Sequence, residues 1–577
     1  MIQNEAAVNE VAIIGGGPSG LFMLKKLIDE GSKLAVHIFE KSQQLGAGMP
    51  YSTQGANEEH VTNVSANEIP KLEQSITEWI VKVHPDTLAR FSIDLDRFHE
   101  YQVLPRLLFG QYLSDQFRLL QKKAIEAGIA LQVTYGVEVV DILDIPNVEQ
   151  VELKFADGQK IRFERVILCT GHFWPKQHEG KIPGYFDSPY PPVKLKQIFN
   201  HAVAIRGASL TAIDALRTLA RQHGHYERSA DGVLQYMRNK ENADFSIVMH
   251  SREGLLPGIR FHLDEPILGK DSLFDLDEIH KIREDNEGFV PLDLVFEEKF
   301  KKPLAEVDPE FYNKIASLNI EEFIDRMMSL RERLDPFQLF RAEYKEAAKS
   351  IRQHKSVHWK EMLCGLSYTL NYPAKYFSAE DMIRLKRTLM PLISLIIAFV
   401  PQSSAEELLA LHDASVLELI AVGNSSEVRP LEEGGIEYDI EDGNGVNKTT
   451  RYLTFIDCIG QPHLSFDAIP HAGLKENHTV APARLSFRNQ ELAVKMASEN
   501  QDIELDHQGN YYLRVPGLAI NDCFQVVDHY FALNPRIYVM AVPFIGGYNP
   551  DYSGLDFCET AATRIAVALR AANDNQN

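Results

Sequence analysis

Apolar positions near the start of the chain switch between two spacings. Residues 11–14 form a short unbroken apolar run and a glycine cluster follows, after which apolar residues recur at three- and four-residue intervals over 21–28. That order predicts strand, turn and helix. A second strand is predicted over 34–39. Helical spacing runs over 107–127, residues 131–142 suggest a strand, 151–163 a hairpin turning at Asp157-Gly158, and 165–169 a buried strand. Beyond a proline-rich stretch at 190–193, strand, helix and strand recur at 202–205, 209–222 and 245–250. From about 271 to 419 the pattern is mostly helical, clearest over 321–334 and 379–399. Residues 423–450 suggest loops or a hairpin, strands return at 452–458 and 536–541, and a last helix at 556–570 leads into a frayed end, 571–577.

The first turn carries chemistry. Gly15, Gly17 and Gly20 have G-x-G-x-x-G spacing, with Gly16 and Ser19 filling the turn. The three glycines allow a tight turn, backbone approach to a pyrophosphate, and close packing of helix on strand. A helix starting at Pro18 aims its free N–H groups and positive dipole end at the phosphates. Glu40, followed by Lys41, ends the second strand, where a carboxylate accepts both ribose hydroxyls and disfavours a 2′-phosphate. This motif alone does not separate FAD from NAD. In combination with it, the strand 165–169 ending in Thr170-Gly171 favours FAD, although by itself any buried strand can end so.

A weaker copy follows. Gly207, Ser209 and Thr211 open the second turn, with Ser209 and Ala212 in place of two glycines. A serine hydroxyl can donate to phosphate, but its Cβ limits the approach. Arg252 is expected where the first unit has Glu40, to pair with a 2′-phosphate and favour NADPH, with NADH as the alternative and a plain surface arginine as the bland one. Near the C-terminus, Gly546 and Gly547 are expected to let the last helix face a flavin's pyrimidine end, with an ordinary strand-to-helix connection as the bland alternative. The fold expected is therefore α/β, a two-dinucleotide-binding (Rossmann-type) flavoprotein. Its discontinuous FAD domain would cover 1–195 and 423–577, a smaller NAD(P) domain 196–265, and a helical insertion, a possible substrate domain, 266–422.

Composition narrows the partners. A chain of 577 residues with net charge -22 and no long Lys/Arg run repels a phosphate backbone, so no nucleic acid is expected. The longest apolar run, 389–400, contains Pro391 and is too short to span a bilayer, so no membrane is expected. Five scattered cysteines and a polar opening at 1–9 suggest a reducing cytoplasmic setting and no redox dithiol. No metal-ligand, P-loop or G-x-S-x-G signature is present, and Asp214, Asp457, His529 and Asp556 could all be structural.

The runs Gly46-Ala-Gly-Met-Pro-Tyr51, His60-Val-Thr-Asn63, Pro105-Arg106, Phe109-Gly110-Gln-Tyr112 and Cys169-Thr-Gly-His172 resemble the FAD/NAD(P)-binding flavoproteins that include urate hydroxylase and L-aspartate N-monooxygenase-like enzymes. The resemblance implies that Gly48, Met49 and Tyr51 lie along the flavin, Asn63 near its isoalloxazine, Arg106 near the phosphate or ribityl region, and Val139 against the adenine. Tyr51 and Tyr112 could equally be core, and His60 and His172 scaffold. It also implies an NADPH-dependent FAD monooxygenase acting on a small polar or amine-bearing molecule. A flavin reductase or dehydrogenase without oxygenation, and a non-catalytic flavin redox sensor, remain open. Oligomeric state is not legible.

Overall fold

The computed structural model describes residues 9–31, 34–172, 174–263, 274–441, 447–461, 463–551 and 554–574. The polar opening up to residue 8 and the last three residues, both part of expectations above, lie outside the described residues.

Two parallel sheets share one topology. In the first, strands run in the order Gln525–Val527, Leu533–Val539, Arg165–Leu168, Asn9–Ile14, Leu34–Glu40, Ala130–Tyr135, and only the Gln525–Val527 edge is antiparallel. In the second the order is Tyr185–Phe186, Thr454–Asp457, Ala202–Arg206, Ser246–Ser251, Leu417–Ala421, all parallel. Each unit runs strand, helix, strand, excursion, strand, antiparallel meander, strand. The helix is Pro18–Asp29 in one and Leu210–His223 in the other. The meander is Val139–Ile145, Gln150–Phe155, Lys160–Phe163 in one and Glu427–Pro430, Ile436–Glu441, Asn447–Tyr452 in the other. Strands buried on both faces explain the unbroken apolar runs, because helices and meander cover the sheet.

This corrects the expected boundaries. The second unit does not end at 265: its third strand Leu417–Ala421, its meander and its last strand Thr454–Asp457 come after the helical insertion, so only the chain beyond Cys458 rejoins the first unit. Parallel pairing is long-range, and a strand separated from its neighbours by a long insertion carries no local label of the sheet it joins. The strand expected over 131–142 is two elements in different sheets, Ala130–Tyr135 and Val139–Ile145. The last helix runs Leu555–Asp574, so the expected fraying from 571 does not begin within it.

The insertion's helices share a core with a third sheet, Pro482–Ser486, Tyr511–Leu518 and Ile503–Leu505. The helix expected over 379–399 is interrupted: Ala379–Arg384 passes through a π-helical turn, Leu385–Leu389, into Met390–Ile397, with Pro391 in the first turn of the last piece. No helix among the described residues is long and apolar enough to cross a membrane.

Candidate functional site

The first glycine turn is held by backbone contacts that exclude side chains. Gly15 has φ of 103°, and a Cβ there would lie 2.7 Å from the Cys169 carbonyl oxygen. A Cβ on Gly20 would lie only 2.3 Å from the Gly15 oxygen, which is why helix and strand meet so closely. The N-cap position Gly17 has no side-chain acceptor for the helix's free N–H groups. They remain for an anion, in contrast to the side-chain caps at Asp275 and Asn319. Residues 46–49 fold over the turn: the Gly46 N–H donates to the Gly16 oxygen at 2.7 Å, and the site a Cβ would take on Gly48 is 2.9 Å from Pro18 Cδ.

Glu40 closes this end. Its Oε2 accepts from the Gly16 N–H and its Oε1 from the Ser42 N–H, each at 2.7 Å. A carboxylate has capacity for further donors, so ribose hydroxyls fit beside these two bonds. The Val137 N–H donates to the Glu40 carbonyl at 3.2 Å, which brings the start of the Val139–Ile145 strand alongside. Lys41 instead points to the surface, paired with Glu138 at 2.6 Å. The Thr170 hydroxyl is buried and has no hydrogen-bond partner among the described residues. A buried orphan costs stability unless a ligand supplies the missing bond.

The second turn repeats the backbone of the first. The Gly207 N–H donates to the His250 oxygen at 2.7 Å as that of Gly15 donates to Phe39 at 2.8 Å. The Cys458 N–H donates to Arg206 as that of Cys169 donates to Ile14, both at 2.8 Å. A Cβ on Gly207, whose φ is 111°, would lie 2.7 Å from the Cys458 oxygen. Ala212, fully buried, takes the place of Gly20. Ser209 and Thr211 lie on the N-terminal turn of this helix, which likewise has no side-chain cap.

Register changes one expectation. Ile14 pairs with Phe39 and Arg206 with His250, so Ser251, not Arg252, is the counterpart of Glu40, and Arg252 is the counterpart of Lys41. Ser251 has a buried hydroxyl without a partner among the described residues, and the Arg252 guanidinium is exposed. A hydroxyl with no partner among the described residues, beside an exposed guanidinium held only loosely by Glu253 at 3.9 Å, fits a phosphate, as a carboxylate would not.

A buried polar network joins the two units. Arg106 donates through Nε to the Val61 oxygen at 2.9 Å and is ion-paired with Asp214, which also accepts from the Tyr190 hydroxyl at 2.6 Å. Burial opposes the Arg106 charge, but Asp214 and then Tyr190 outweigh it and raise its pKa. His60 contacts the Asp214 carbonyl and Thr218, and burial depresses its pKa. His172 is lowered to about 4 by burial, helped by the Arg106 charge, and bonds to Gln461. Arg106 thus bridges the units. Sequence gave no sign of its partner, since Asp214 lies on the second unit's helix.

The remaining expected residues are spread more widely. Met49, His172 and Tyr190 line a cavity of about 160 Å³. Tyr51 packs edge-on against Phe109, and the fully buried Tyr112 donates to the Gln74 oxygen at 2.7 Å, as core does. The Asn63 carbonyl accepts from Arg260 at 2.6 Å. Gly171 is open to solvent. Gly546 packs against the His463 ring, and the Gly547 N–H donates to Pro516 at 2.7 Å. Ser19 approaches Cys558 of the last helix at 3.3 Å. The five cysteines are all free. A larger cavity of about 390 Å³ among the insertion's helices, walled by Trp359, Arg331 and Lys360, includes none of these residues, and both its buried cations pair with Glu343.

Residues 12–173 match the family model described as FAD-NAD(P)-binding. Residues 275–397 match the YdhS-like middle domain, which is the segment inserted between the second and third strands of the second unit. The Escherichia coli (strain K12) protein YdhS is 28% identical over 471 residues, covering 81% of this chain and 86% of that one. Among solved structures, L-lysine 6-monooxygenase from Pseudomonas syringae superposes with a TM-score of 0.46 at 11% identity, covering 98% of this chain and 99% of that one. Kutzneria sp. 744 ornithine N-hydroxylase superposes at 0.44 and 11% identity, covering 98% and 100%.

Proposed function

We propose that this protein is an FAD-dependent oxidoreductase that uses NADPH, and specifically a monooxygenase acting on a small polar or amine-bearing molecule in the cytoplasm. One observation carries the reading: two copies of the same turn, differing in the group at the end of the second strand, Glu40 in one and Ser251-Arg252 in the other. A carboxylate suits an unphosphorylated ribose and a hydroxyl with a guanidinium suits a 2′-phosphate, which assigns FAD to the first turn and NADPH to the second.

In this reading Gly15 to Gly20 hold the pyrophosphate, Glu40 the ribose, and Thr170 supplies a donor that otherwise has no partner. These residues would hold FAD, which would supply the capacity to take up hydride from a nicotinamide and to reduce oxygen. Arg106, Asp214 and Tyr190 keep the two units at one fixed orientation, and His172, neutral near pH 7, offers a hydrogen bond without a charge. Kinship with urate hydroxylase and L-aspartate N-monooxygenase-like enzymes belongs to the same proposal, on the motifs within residues 46–51, 60–63, 105–112 and 169–172.

Anaerobic titration of the purified protein with NADPH and NADH tests both cofactors: the expected result is a yellow protein bleached faster by NADPH. Oxygen consumption with label appearing in product separates oxygenation from reduction of another acceptor. Protein that takes up no flavin would sink the proposal.

A further inference from the structure

Four helices of the insertion, Pro309–Ile315, Ile320–Glu332, Pro336–Gln353 and His358–Leu370, surround the cleft of about 390 Å³. That volume falls in the range of small-molecule sites, roughly 300–1,000 Å³. Its lining residues all lie within the segment 275–397, and none belongs to either glycine turn. One wall is aromatic: the Phe311 and Trp359 rings are 6.1 Å apart between centroids and 16° from parallel. Ile315 and Met327 add aliphatic surface, and Leu330, also in the lining, is 63% exposed, so the apolar wall extends to the surface.

The polar side is built from buried charge. Arg331 and Lys360 both line the cleft and are more than nine-tenths buried, at 7% and 2% exposure. Lys360 is engaged by two acids, Glu346 at 2.9 Å and Glu343 at 3.6 Å. Arg331 has only one partner of this kind: its Nη2 donates to Glu343 at 2.6 Å, and its Nε and Nη1 have no acceptor among the described residues. A guanidinium presents its N–H donors as a planar fork, and buried donors left without acceptors cost stability.

On the same helix, Arg326 donates to the Lys314 carbonyl at 2.9 Å and has no carboxylate within ion-pair distance among the described residues. Lys314 pairs with Glu310, which lies outside the lining. The lining thus holds Lys314, Arg326, Arg331 and Lys360 against Glu343 and Glu346 alone, a cationic cleft on a chain of net charge -22. Flat apolar walls beside unused guanidinium donors favour a flat apolar anion.

We propose that the insertion carries a binding site of its own, for a small aromatic carboxylate whose ring lies against Trp359 and Phe311 and whose carboxylate accepts from Arg331 and Arg326. The site is separate from both glycine turns and stands independently of the flavoprotein reading.

Calorimetric titration of the full-length protein with phenylacetate, phenylacetamide and acetate tests it. Phenylacetate should bind at least about tenfold more tightly than either analogue, because the amide lacks the charge and acetate lacks the ring. R331K keeps a charge beside Glu343 but loses the planar fork, and should weaken phenylacetate about tenfold with phenylacetamide unchanged. R326Q should weaken it about threefold. Phenylacetate should also change the emission of Trp359, a signal that W359F removes while calorimetric binding persists. No binding of phenylacetate, equal binding of acid and amide, or acetate binding as tightly as phenylacetate would each overturn the proposal. So would unchanged affinity in both arginine variants, or an emission change that persists in W359F. Should R331K not fold, the exposed R326Q and the wild-type comparison of acid with amide decide. A dimer abolished by L330K, with phenylacetate unbound, would assign the cleft to a second copy of the chain instead.

Discussion

The two glycine turns have the same backbone and different tolerance for side chains. At Gly15 and Gly207 the requirement is identical: a left-handed backbone at which an added Cβ would lie 2.7 Å from a cysteine carbonyl oxygen. Two positions on, Gly17 faces Ser209, and at the third Gly20 faces Ala212. The difference teaches that the first glycine is needed to form the turn at all, whereas the other two set how closely helix, strand and phosphate approach. The first turn is also the one layered by residues 46–49 and by the last helix. Tight, enclosed packing suits a cofactor that stays bound, and the looser second turn suits one that exchanges.

The largest effect is expected from the shared glycine. Gly15→Ala should leave less than about a tenth of the bound flavin, because both backbone strain and the carbonyl clash must be relieved. Gly207→Ala should leave the protein yellow but no longer bleached by NADPH. Absorbance of purified protein and stopped-flow reduction measure these, and equal flavin loss in both would break the assignment of one cofactor to each turn.

Next comes the joint between the units. Asp214→Asn leaves the buried Arg106 cation without its anion, at a cost of about 3 kcal/mol read from chemical denaturation. An unchanged midpoint would show that the pair is not what holds the units together. Glu40→Gln should weaken FAD binding roughly tenfold, seen as flavin fluorescence released on dilution. Arg252→Ala should raise the KM for NADPH about tenfold with kcat and the NADH parameters unchanged. Equal losses with both nucleotides would mean that Arg252 reads no 2′-phosphate.

The smallest effect concerns the helix beside the first turn. Burial first, and then Glu559, raises the Asp556 pKa from its ordinary 3.8 to about 7. A carboxyl with a raised folded pKa leaves stability intact below about pH 4 and erodes it as pH rises to about 7. Asp556→Asn should therefore flatten that slope, matching wild type at the acid end and melting higher at neutral pH. Melting temperatures across pH check it.

Legibility followed distance along the chain. The first turn was readable because strand, glycines, helix and Glu40 lie within about one supersecondary unit, each with its own local signature. The far half of the second unit was not, although a signal existed: Cys458-Ile459-Gly460 echoes Cys169-Thr170-Gly171, and matching them would have put 417–457 in the second unit. Arg252 was misplaced by one residue because hydrophobic periodicity locates a strand better than its end, and only the ladder aligns Ser251 with Glu40.

By itself the amino-acid order determined the two nucleotide-type turns, their unequal glycine content and the acid at position 40, since these depend on backbone freedom and near neighbours. Tertiary structure alone decided that Arg106 meets Asp214 and that the Ser251 and Thr170 hydroxyls have no partner among the described residues. Those relations depend on burial and on contacts between segments far apart in sequence, and burial is a property of the folded whole.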